Sequence, residues 1–189
     1  MEAVQLKNVD DLFQASRDDE RIELIDGEIV KRPMARFGHS LAQSGLSGQF
    51  FPLSHQGGDG GWWIMTEVSV RYSEHHCPAH DLAGWRKERL PQPPQSVVDI
   101  RPDWVCEITS PGHERKDLVT HLLRLQAYQV PYYWVISPED KTLIAYGLQG
   151  EHYQLVFAIE CQANAECRSV AIPPFRDLPI DLAVIFGDA

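Results

Sequence analysis

The chain has 189 residues, 43% hydrophobic and 23% charged, the proportions of one soluble globular domain that can bury a core without staples. This composition excludes a disordered chain, a collagen-like repeat and a coiled-coil rod, and no apolar run reaches the roughly 18 residues of a transmembrane helix. The net charge of −10 argues against indiscriminate binding to nucleic acid, whose phosphates reward Lys and Arg. It leaves room for an enzyme that meets nucleic acid locally across a metal ion.

In chain order, Asn8 caps one or two helical turns through VDDLFQAS. IELI and EIV flank Asp26-Gly27, the pattern of a tight hairpin. From His39 onward, Leu41, Leu46, Phe50 and Leu53 recur at helical spacing despite the glycines up to Gly48. HQGGDGG reads as a loop and WWIMTEVSVRY as a strand or strand pair. Residues 75–81, HHCPAHD, read as irregular chain or a strand edge, and the Pro-rich AGWRKERLPQPPQ as a surface loop. RPDWVCEIT is the clearest buried strand. A helix follows from SPGHERKD to Gln129, with Leu118, Leu122 and Leu125 on one stripe. VPYYWVIS is a second core strand, KTLIAYGL and YQLVFAIE form a hairpin, and the tail SVAIPPFRDLPIDLAVIF ends in a strand or short helix. The order β-β-α-β-β-β-α-β-β-β predicts one α/β domain over residues 1–189, a mixed central sheet with helices packed on it.

The N-terminus lacks an apolar signal core and a basic flank, so the expected compartment is the cytoplasm and Cys77, Cys106, Cys161 and Cys167 are expected to be reduced. None of them forms a CxxC pair of the usual zinc spacing.

Glu107 lies inside the most hydrophobic strand of the middle third, where an unpartnered carboxylate is costly. It is either salt-bridged or a metal ligand held on a rigid strand. Asp103 on the same strand is roughly 13 Å away at strand rise, too far to share one ion, and is read as structural. Asp81, in the irregular segment upstream, and Glu28, just after the first hairpin turn, are the carboxylates that could join Glu107. In the following helix Asp117, His121 and Arg124 form a polar row beside the leucines, either a solvated face or a wall of the same cleft. His75, His76, Cys77, His80 and Asp81 offer a competing reading as a transition-metal loop.

Taken together, ELIDGE with His39 after it, DLAGWRKERLP, RPDWVCEITSP, the D-x-x-x-H of the helix and VPYYWVISP resemble the large bacterial family of putative restriction endonucleases within the PD-(D/E)xK nuclease superfamily. The resemblance runs from about residue 9 to about 182. It implies a restriction-endonuclease-like fold in which Asp81 and Glu107 bind Mg²⁺ or Mn²⁺, helped by the Ile108 carbonyl, and in which Glu28 stands near the cleft. The ion would polarise a DNA phosphate and activate a water. The chain departs from the pattern twice. The usual Pro-Asp is His80-Asp81, and the lysine is replaced by Thr109 on the strand and by His121 in the helix, where this family normally carries it. The expected catalytic set is therefore Asp81, Glu107, His121 and Glu28. The expected function is metal-dependent endonucleolytic cleavage of DNA, with a catalytically inactive binding or assembly module as the alternative. No membrane association is expected, and the sequence leaves a homodimer open.

Overall fold

The computed structural model describes residues 5–19, 21–56, 60–95, 97–109, 114–162 and 167–188, with backbone alone for 114–118. Helix α1 (Val9–Ala15) opens on a reciprocal cap: Asp11 N–H donates to Asn8 Oδ1 at 3.0 Å and Asn8 N–H donates to Asp11 Oδ2 at 2.9 Å. Strands β1 (Ile22–Ile25) and β2 (Glu28–Lys31) are joined through Asp26 and Gly27, both at positive φ (51° and 84°), as a twist-matched two-residue turn requires. A Cβ on Gly27 would lie 2.8 Å from a Leu6 side-chain carbon. Leu24 and Cys77 exchange backbone hydrogen bonds (3.2 and 2.8 Å), which fasten the hairpin to residue 77, just before Ala79 in the chain. Val9, Leu12, Ile22, Leu24 and Cys77 make a small core beneath it.

Helix α2 (Phe37–His55) buries Ala42, Leu46, Phe50 and Leu53 along one stripe. Then come β3 (Trp62–Ser69), β4 (Ala79–Arg86), β5 (Trp104–Ile108), α3 (Glu114–Ala127), β6 (Tyr132–Ser137), β7 (Thr142–Gln149), β8 (His152–Glu160) and the short α4 (Leu182–Phe186). Strands β3 to β8 form one six-stranded sheet in sequence order. Every neighbouring pair is antiparallel except β5 and β6, and α3 supplies the crossover that a parallel pair needs. The sheet is thus mixed and flanked by helices, as the element order predicts.

Period-two alternation assigns the two faces. Leu82, Trp104, Cys106, Ile108, Trp134 and Ile136 pack with α2 and α4, while Ala83, Trp85, Val105, Tyr133 and Val135 pack with Leu125 of α3. The first core is built on an aromatic cluster, with Trp104, Trp134 and Phe175 at centroid distances of 5.1 to 5.6 Å.

Two expectations change, and one open alternative is settled. The stretch beginning at Ala83, expected as loop, is strand through Arg86, and Trp85 is 1% exposed. Its glycine is why it can be: a Cβ on Gly84 would lie 2.7 Å from Ile64 and 3.2 Å from both Trp62 and Trp104. Among the cysteines, Cys161 and Cys167 are disulfide-bonded rather than reduced, since the chain after β8 brings their Cα atoms to 5.7 Å. Cys77 and Cys106 are free and buried. The tail, left as strand or helix, ends in α4, capped by Asp181 Oδ1 accepting from Ala183 N–H at 2.9 Å. Among the described residues no helix is long and apolar enough to cross a membrane.

Candidate active site

Asp81 stands where three parts of the chain meet. On one side Thr66 pairs with Leu82 and Val68 with His80, so Glu67, at φ 50°, and Asp81 face each other across the ladder. On the other side Leu82 opposite Cys106 is the last pair of β4 and β5, and Asp81 and Glu107 are the next residues on each strand. There Asp81 Oδ2 accepts from the Ile108 N–H at 2.7 Å, replacing a main-chain partner. Its Oδ1 faces Arg32 Nη2 at 3.2 Å and His39 Nε2 at 3.4 Å. Arg32 comes from the end of the β1–β2 hairpin, where its N–H donates to the Arg21 carbonyl at 2.9 Å, and its other guanidinium nitrogen pairs with Glu67. Gln43 of α2 donates to Glu67 at 2.8 Å and to the Asp81 carbonyl at 2.9 Å.

Arg32, His39, Glu67 and Asp81 line a cavity of about 520 Å³ together with Glu23, Glu107, Arg21, Lys31, Arg124, His121 and Tyr133. Four carboxylates against four Lys and Arg make this wall balanced in charge, unlike the chain at −10. Among the described residues the group whose possible ligand atoms converge is His39, Glu67 and Asp81, all within 4.8 Å of one another.

The electrostatics follow from burial and proximity. Burial, then the charge of Asp81, pushes the Glu107 carboxyl well above its usual range, while His121 and Arg32 pull the other way. Burial also raises Glu23, whose carboxylate accepts from the Ala79 N–H at 3.1 Å. The hydrogen bond to Asp81 raises His39 against its own desolvation. His80 is 1% exposed, and burial lowers it to about 4. Its Nδ1 lies 2.6 Å from Glu107 Oε1 and its Nε2 lies 2.9 Å from the Tyr72 hydroxyl. With Glu107 ionised, the neutral ring donates to it from Nδ1 and accepts from Tyr72, which fixes the carboxylate's direction.

Of the expected residues, Asp81, Glu107 and His121 all line the cavity. Glu28 does not. It is exposed at the turn end of the hairpin, on the same face as Val30 but about 7 Å further along by strand rise. The hairpin carboxylate that reaches the cavity wall is Glu23. The side chain of Asp117 lies outside the described residues. Asp103 is structural, accepting from the Arg86 N–H at 2.8 Å and from Arg89 Nε at 2.9 Å. The residues missed by the sequence reading are Arg32, Glu67 and Glu23. His39 was visible only as part of a motif.

The His- and Cys-rich loop does not converge on one point. His75 bonds the Lys7 carbonyl at 2.7 Å, His76 pairs with Asp26 at 3.0 Å, and His80 serves Glu107. Burial pushes the Cys77 thiol up to about 11. Its histidines are structural, and His76 carries a pH signature. Burial lowers it to about 4 against the pull of Asp26. A depressed histidine favours the folded state in its neutral form, so its contribution is full above the unfolded value near 6.5 and is lost as pH falls toward 4. His76→Gln is expected to flatten the decline of unfolding free energy between pH 6.5 and 4 by on the order of 3 kcal/mol. An unchanged slope in the variant would show that other groups carry the acid sensitivity.

A family model described as "Uma2: Putative restriction endonuclease" matches residues 9–176. Among solved structures, the chain is similar to one described as "a putative nuclease belonging to DUF820" from Anabaena variabilis ATCC 29413. The identity is 20%, the TM-score is 0.72, and the match covers 95% of this chain and 97% of that one. At that identity the likeness speaks for the fold. No curated protein matches.

Proposed function

The chain belongs to the Uma2 family of restriction-endonuclease type, and from that membership and the cleft we propose that it is a metal-dependent nuclease acting on DNA phosphodiester bonds. The observation that carries the reading is the seat of Asp81 between β3 and β5, with Glu67 on one side, Glu107 next on the other and one cavity in front.

The residues fit a divalent ion. Carboxylate oxygens suit Mg²⁺ or Mn²⁺ better than zinc. Among the described residues the Tyr133 hydroxyl is buried without a hydrogen-bond partner, and Tyr133 lines the cavity beside Glu107. Asp81 would hold the ion with Glu67 and His39, whose donor atoms converge with its own, and Glu107, next across the β4–β5 pair on the same wall, would complete the set. When bound, the ion supplies polarisation of the phosphate and a more acidic water. The protein's own cations, Arg32 and Arg124, line the same wall and stabilise charge developing on the phosphate. The near balance of charge on the wall also answers the overall acidity: with a divalent ion added, the cleft becomes locally attractive to a polyanion.

His121 occupies the helix position where the family resemblance places a lysine. His121→Lys is expected to raise DNA cleavage at neutral pH about tenfold, or about 1.4 kcal/mol, if a fixed positive charge is what the position lacks. If His121 acts as a base, the variant is slower. The competing reading is a binding module that has lost turnover. It is favoured by the absence of lysine at Thr109 and His121. Folded, metal-binding wild type and His121→Lys that both leave DNA uncut would decide for it.

A further inference from the structure

We infer that Arg32 is the resident cation of this site. It supplies the fixed positive charge absent at Thr109 and His121, and in the metal-free protein it holds Asp81 and Glu67 in competition with a divalent ion. The inference rests on the metal-site reading above.

Glu67 and Asp81 face each other across the β3–β4 ladder, an arrangement in which like charges repel. Asp81 is 7% exposed at its side chain, so its charge needs a partner. Arg32 touches both carboxylates, Asp81 through Nη2 at 3.2 Å and Glu67 through the other terminal nitrogen. A guanidinium stays protonated in proteins, and the two carboxylate contacts offset the cost of its partial burial. The planar fork, with two nitrogens for two carboxylates, is a geometry that an ammonium group cannot reproduce.

The side chain is also well anchored. Arg32 follows directly on β2, its backbone N–H is tied to Arg21, and Pro33 fixes the turn beyond it. It is 20% exposed at its side chain and lines the cavity, so it can stay charged while facing a phosphate. The same two carboxylates, with His39, form the converging donor group. A divalent ion and the guanidinium therefore seek the same oxygens, and the ion must weaken the pairing of Arg32 to bind. A guanidinium so released remains on the cavity wall as a positive charge.

Removing the guanidinium should then move metal affinity and turnover in opposite directions. In Arg32→Gln, Mn²⁺ binding measured by calorimetry on the full chain is expected to tighten at least tenfold. The metal-free melting temperature should fall and recover with Mn²⁺, and cleavage of single-stranded DNA at saturating Mn²⁺ should slow at least tenfold. Arg32→Lys keeps one charge but grips only one carboxylate, and should bind Mn²⁺ a few-fold tighter than wild type. It serves as the deciding variant if Arg32→Gln fails to fold. Binding no tighter than wild type in the folded variants would overturn the inference even if the wild type cuts DNA. Tighter binding with an inert wild type would sustain the competition at Asp81 and Glu67 while the nuclease reading fell. No Mn²⁺ binding by wild type or either variant would overturn both.

Discussion

Asp81→Asn is expected to lower metal-dependent DNA cleavage at least a thousandfold, about 4 kcal/mol of lost transition-state stabilisation. The side chain does more than contribute one ligand. Its two oxygens receive the Ile108 N–H, Arg32 and His39, so its charge organises both the strand ends and the cations beside them. Asparagine keeps the size and can still accept from Ile108, but it puts an amide in place of half the anion. The fold should survive, because the lost pairing with Arg32 is offset by relief of repulsion toward Glu67 and Glu107. The accompanying physical signature is the loss of any rise in melting temperature with millimolar Mg²⁺ or Mn²⁺, a rise that mass action gives the wild type. An identical metal response in the variant would place the ion elsewhere on the protein.

Trp134→Ala is expected to cost 3 to 5 kcal/mol of stability, about the usual loss for a large buried aromatic. The indole is fully buried on β6 and packs against Phe50, Trp104 and Phe175 at centroid distances of 6.1, 5.2 and 5.6 Å. Its Nε1 donates to the Pro173 carbonyl at 2.7 Å in a buried hydrogen bond. Alanine therefore opens a cavity in the α2-side core and strands a buried carbonyl. Urea unfolding monitored by circular dichroism reads the loss directly, and a loss under about 1.5 kcal/mol would mean that this core can collapse around the missing ring.

Much of the architecture was legible because it is written locally. The Asp26-Gly27 turn, the apolar run around Cys106 and the stripe of α2 each declare themselves within a few residues, and the parallel β5–β6 pair follows from a helix lying between two core strands. Ala83–Arg86 was misread because the following prolines color the whole segment as loop, whereas its burial depends on Trp62 and Trp104 from other strands. Cys161 and Cys167 were assigned by expected compartment rather than by geometry, and a separation of six positions does not reveal that their Cα atoms come within 5.7 Å.

The site divides the same way. Glu107 stood out as a carboxylate in an apolar strand, Asp81 as the carboxylate that could join it and His121 as one of a polar helix row, and the family resemblance drew the three into one site. Arg32 and Glu67 could not be found by pattern, since Arg32 lies 49 residues from Asp81 and Glu67 is an ordinary polar residue in an alternating strand. Their roles exist only once the β3–β4 register and the docking of the hairpin through Leu24 and Cys77 are set. Glu28, expected near the cleft, and Glu23, which lines the cavity, share one face of the hairpin and differ in position along it. The available signal was the apolar context of IELI, which makes Glu23 the more buried carboxylate.

The central claim is that the cavity in front of Asp81 and Glu107 cuts DNA with a divalent ion. The most direct test incubates the wild-type protein with supercoiled plasmid and with single-stranded DNA across a titration of Mg²⁺ or Mn²⁺, with EDTA and Glu107→Gln as controls. Cleavage that saturates with metal, vanishes in EDTA and is lost in Glu107→Gln is the predicted result. A folded wild type that binds the ion and leaves both DNAs intact, or a Glu107→Gln protein that cuts as fast as wild type, would contradict it.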